Sequence, residues 1–85
     1  MSAIEQLLRV AGEYRRATGL ETKTVSWRVF EDSKKLEAME RGDADIQTRR
    51  FERAMSWLSE NWPADAVWPA DVKRPPAAGP EEAAA

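Results

Sequence analysis

Neither cysteine nor histidine occurs anywhere in the 85 residues. The first absence removes disulfides, thiolate nucleophiles and every cysteine-based zinc pattern. The second removes the usual proton shuttle near neutral pH and the commonest metal ligand. An all-carboxylate site would still be chemically possible. However, no stretch of acids has the spacing of a metal-binding loop, so no catalytic residue, metal or cofactor is expected, and the chain is not expected to be an enzyme. Long apolar runs are also missing, and nothing approaches a membrane span. No basic stretch leads into an apolar segment at the N-terminus, so no signal peptide is expected and the protein is expected to be cytoplasmic.

What is present is a modest apolar supply and many charges. Four Trp, two Phe, one Tyr and three Met can furnish one small core. The formal charge is −2, from 13 basic and 15 acidic residues. Its distribution is informative. From Pro63 onward there are four acids (Asp65, Asp71, Glu81, Glu82) and two bases (Lys73, Arg74). The acidic excess therefore belongs to the C-terminal stretch, and residues 1–62 are neutral. A neutral domain neither excludes nor advertises an anionic partner.

Hydrophobic periodicity and end signals predict successive helices. Ser2 and Glu5 form an S-x-x-E capping box, and Ile4, Leu7, Leu8, Ala11 and Tyr14 share one face. Arg15 and Arg16 suit the last turn, with Gly19 just beyond it. In ETKTVSWRVF, Thr22 or Thr24 is the expected cap, and Val25, Val29 and Phe30 make an apolar side. The β-branched residues also fit a strand, but a lone strand would lack a pairing partner, so a helix is expected. Trp27 lies off that apolar side. Asp32 or Ser33 should open a third helix with Leu36 and Met39 inward, and Gly42 should stop it. Asp45 or Thr48 should open a fourth, carrying Phe51, Ala54, Met55, Leu58 and Trp62 and ended by Pro63.

Beyond that lies WPADAVWPADVKRPP, in which W-P-A-D occurs twice. X-Pro pairs favour extended backbone. The expected organisation is a helical domain at 1–62, an extended Trp/Pro arm at 63–74 packing on the core, and a disordered tail at 75–85.

The segment LEAMERGDADIQTRRFERAMSWL resembles the second half of phage-repressor-like helix-turn-helix domains of the Cro/C1, or XRE, family. The resemblance rests on Leu36 followed by Glu40, Arg41 and Gly42, then a polar loop, then Phe51, Ala54, Met55 and Leu58. It implies an all-α, four- to five-helix repressor-like helix-turn-helix bundle. It further implies base contacts from Ser33, Lys34, Lys35, Glu37 and Ala38, and phosphate contacts from Arg28, Arg41, Arg49, Arg50 and Arg53. VSWRVFEDS departs from the family's usual turn, and Glu31 and Asp32 would stand close to phosphates.

The implied function is sequence-specific binding of duplex DNA by a small transcriptional regulator of bacterial or phage origin, acting as a two-fold dimer. A different class remains open: a protein-interaction module, such as a phage-type inhibitor or adaptor, on the same scaffold without DNA binding. It would present Trp27 and the C-terminal arm to a protein partner.

Overall fold

The computed structural model describes residues 2–75, and within them the chain is all-helical. Four helices follow one another: α1 (Ala3–Thr18), α2 (Thr22–Phe30), α3 (Lys35–Glu40) and α4 (Thr48–Glu60). Among the described residues no helix is long and apolar enough to cross a membrane.

The ends of α1 follow its sequence signals. The Ser2 hydroxyl accepts the Glu5 amide at 3.2 Å, and the Glu5 carboxylate accepts the Ser2 amide at 2.9 Å. The hydrogen bond from the Ser2 amide, then that from its side chain, hold the Glu5 carboxyl below the ordinary carboxylate range. Gly19 ends the helix at φ +73°, a conformation natural only to glycine, and donates its amide to the Arg15 carbonyl.

The other three starts differ from expectation. Glu21 sits at the N-cap of α2, Lys34 at that of α3 and Gln47 at that of α4, and none of them makes a side-chain capping bond. Thr22 and Thr48 are instead the first residues inside their helices. Asp32 does act nearby, its carboxylate accepting the Lys34 amide at 2.9 Å. The helix α4 stops at Glu60, before Trp62 and Pro63. There Asn61 closes it, with its side-chain amide on the Trp57 carbonyl at 2.9 Å.

The core collects Leu7, Val10, Ala11 and Tyr14 from α1, Val25 and Phe30 from α2, and Leu36 and Met39 from α3. Ala54, Met55 and Leu58 of α4 complete the helical part, and Val72 enters from the C-terminal arm. Helix α2 packs most closely on α3, and α1 on α4. One fully buried polar side chain organises the α2–α3 corner. The Ser26 hydroxyl donates to the Asp32 carbonyl and accepts the Leu36 amide at 2.9 Å. It thereby satisfies a donor at the start of α3 that the helix itself leaves open. Gly42, at φ +80°, turns the chain out of α3.

The arm is bent, and the extended path expected of it is not observed. Each W-P-A-D unit closes a turn. The Ala66 amide donates to the Pro63 carbonyl, and the Trp62 indole donates to the Ala66 carbonyl at 2.9 Å. Six residues later the Val72 amide donates to the Pro69 carbonyl, and the Trp68 indole donates to the Val72 carbonyl at 2.8 Å. Proline favours such turns because its φ is preset. The two indole rings lie 4.8 Å apart, and Trp62 also meets Tyr14. Arg74 then fastens the end of the arm. Its guanidinium lies over Trp68 and bonds both the hydroxyl and the carbonyl of Ser59. Of the expected tail, 76–85 falls outside the described residues.

Candidate nucleic-acid interface

The residues expected at an anionic partner are divided by the fold into two unlike groups. The first surrounds the junction between the end of α2 and the start of α4. Here Val29, Phe30 and Glu31 face Gln47, Arg49, Arg50 and Arg53 across a cleft of about 390 Å³. The cleft continues along α4, where Val29, Arg49 and Arg53 meet Glu52, Ser56, Trp57 and Glu60. The result is a trough in which Val29 and Trp57 are the half-buried apolar residues, with arginines and two glutamates on its α4 side.

These arginines arise from the register of α4. Ala54, Met55 and Leu58 take the buried stripe, which leaves Arg49, Arg50 and Arg53 exposed. Among the described residues, Arg28, Arg49 and Arg53 make no ion pair and no side-chain hydrogen bond. Arg50 has a different task. It donates to the Phe30 carbonyl at 3.1 Å and lies over the Phe30 ring at 5.8 Å. A cation is favourable there because the carbonyl ends of a helix carry partial negative charge. Arg50 therefore ties α2 to α4, and its remaining donors stay at the rim of the cleft. Glu31, at φ +57°, is a non-glycine residue in left-handed backbone beside the same arginines.

The second group lies around α3. Ser33 and Lys34 are exposed in the turn before it. Lys35 reaches across to the Asp45 carbonyl at 2.8 Å and so holds the loop after α3. Glu37 and Ala38 are half-buried. Arg41 pairs with Asp43 at 3.1 Å and does not line the trough. Electrostatically this region is acidic. Between residues 31 and 46, Glu31, Asp32, Glu37, Glu40, Asp43 and Asp45 stand against Lys34, Lys35 and Arg41, a net −3. The helix is also short, six residues, with Leu36 and Met39 turned into the core.

Trp27 remains well exposed on α2, at 57 %. Trp57, Trp62 and Trp68 are half-buried against the core and belong to the fold. Among the described residues no group of acids could hold a metal ion. Ser26 was not anticipated as an organising residue. Its signal is a serine set between Val25 and Val29 on an otherwise apolar side, where a buried hydroxyl must find partners. No family model, curated protein or solved structure matches the chain.

Proposed function

We propose that this protein binds duplex DNA through a phosphate-facing surface made by the end of α2 and the start of α4. The observation that carries the proposal is the pair of arginines whose side chains have no partner among the described residues, Arg49 and Arg53, exposed along one trough. Uncommitted guanidiniums are the side chains best suited to phosphate oxygens. The start of α4 adds to this. It has no side-chain cap, and helix amides favour the same anions. Arg50 holds the two helices in register, so the surface is pre-arranged. The role is that of a binding protein and not of an enzyme, within a repressor-like helix-turn-helix architecture and with a two-fold dimer as the working unit.

The base-reading role implied for Ser33, Lys34, Lys35, Glu37 and Ala38 has weaker support. Lys35 is engaged with Asp45, three of the five (Lys35, Glu37 and Ala38) are half-covered, and the surroundings are acidic. The acidic fringe favours a second reading, in which the trough and its half-buried Val29 and Trp57 take a protein partner.

Salt titration of a fluorescent random duplex separates the two. Each phosphate contact should contribute a slope of about −0.9 in log affinity against log salt. Arg49→Ala and Arg53→Ala should each make the slope shallower by about one unit and weaken all sequences alike. Arg50→Ala should in addition lower the melting temperature. Absence of duplex affinity at low salt would remove the DNA reading and leave the protein-binding one.

A further inference from the structure

Two helices of this fold follow a short turn, and only one of them presents a face suited to a DNA groove. We infer that α2, and not α3, is the helix that enters the major groove, with Lys23, Thr24, Trp27 and Arg28 as its reading face. This rests on the duplex DNA reading above and names the surface that gives it sequence preference.

Four observations carry the inference. First, α1 and α2 are joined by only three residues, with Gly19 in left-handed conformation, a turn of the length and kind that helix-turn-helix motifs use. Second, the buried side of α2 is Val25, Ser26 and Phe30, which leaves Lys23, Trp27 and Arg28 exposed on the opposite side, with Thr24 partly so. Third, α2 itself holds two bases, Lys23 and Arg28, and no acid; its only acids are at the two caps, Glu21 and Glu31. Fourth, the face is free to act. The side chains of Lys23, Trp27 and Arg28 have no hydrogen-bonding or ionic partner among the described residues, whereas that of Lys35 in α3 is tied to the Asp45 carbonyl.

The chemistry of the face fits base edges. A helix of ordinary diameter fits a major groove about 12 Å wide. Lys23 and Arg28 offer donors to the acceptor edge of guanine, and Thr24 can donate or accept. Trp27 supplies an apolar plane for a thymine methyl and one indole donor. A tryptophan left this exposed gains nothing for the fold, and contact with a base edge would cover it. Val29, next to Arg28 in the chain, lines the trough with Arg49 and Arg53, so the reading face and the phosphate clamp adjoin.

The test uses the full chain and a duplex selected by it from a random pool. Lys23→Ala and Trp27→Ala should each weaken the selected duplex by about tenfold or more, the scale of one good base contact. Both should retain affinity for random duplex within a few-fold, and both should melt like the parent because the residues are exposed. Lys34→Ala and Ser33→Ala should change the selected affinity by less than about twofold. The acrylamide accessibility of Trp27, read as the difference between the parent and Trp27→Phe, should fall on adding the selected duplex. If the α3-side variants lose sequence preference and the α2 variants keep it, the assignment of α2 is overturned while duplex binding stands. If no duplex binds at all, the assignment and the DNA reading fall together.

Discussion

The two W-P-A-D units compare the same four residues in two settings. Each makes the same pair of bonds, an amide to the proline carbonyl and an indole to the carbonyl of the fifth residue. What surrounds them differs. After the first unit comes Ala66 and then Val67, which is 87 % exposed, and Asp65 stays in solvent with no partner among the described residues. After the second unit comes Val72, buried in the core, while Asp71 pairs with Arg9 at 2.7 Å. Arg74 then covers Trp68 and bonds Ser59 on α4. The turn is thus written in the unit itself, and attachment to the bundle is written in the residues that follow it.

The largest expected effect comes from removing the second unit together with the rest of the first. Truncation after Pro63 takes away Trp68, Val72 and Arg74, and it opens the ring contact made by Trp62. Each lost kcal/mol lowers the melting temperature of a domain this small by roughly 4–8 °C. A fall of about 15 °C or more is expected, with Trp62 becoming more accessible to a fluorescence quencher. An unchanged melting curve would mean that neither unit is attached. A finer contrast is Val72→Ala against Val67→Ala. The first should cost about 1.5 kcal/mol, as two buried methyl groups are lost. The second should stay within about 0.5 kcal/mol, as at other exposed positions. Denaturant titration of the pair decides it, and equal costs would break the comparison.

The smallest expected effect is at the two aspartates. Asp71→Asn should cost less than about 1 kcal/mol, since both partners are about half exposed, and the loss should vanish in high salt. Asp65→Asn should change nothing measurable at any salt. A salt-sensitive loss at Asp65 would show that the first unit has an ionic partner after all.

How much of this was legible in the sequence depends on where the information sits. The start and end of α1 were legible because the S-x-x-E box and Gly19 act within one helical turn of the residues they cap. The inward stripe of α3 and α4 was legible for the same reason, since Leu36, Met39, Ala54, Met55 and Leu58 obey a local period. The caps of α2 and α4 were not, because Glu21 and Gln47 occupy those positions through backbone geometry alone and make no side-chain bond. The bend of the arm was also not legible. X-Pro preference argues for extension, and within each unit it is overridden by the bond to the proline carbonyl together with the indole-to-carbonyl bond, a pairing that no standard turn signal names. At the candidate site, the basic positions on α4 could be read, but the engagement of Arg50 with Phe30 and of Lys35 with Asp45 could not. Those bonds join residues 20 and 10 positions apart, and no local pattern encodes them.

The bond from the Leu36 amide to the Ser26 hydroxyl has a consequence for measurement. Amides in the first turn of a helix have no carbonyl of their own helix to bond, and they normally exchange with solvent deuterium almost as fast as loop amides. Leu36 should be an exception, because its amide bonds a buried oxygen of the preceding helix. Its exchange rate therefore reports the opening of the junction between α2 and α3 and not the fraying of α3. One slow resonance at the front of a six-residue helix would let that junction be followed by itself, with and without a bound partner.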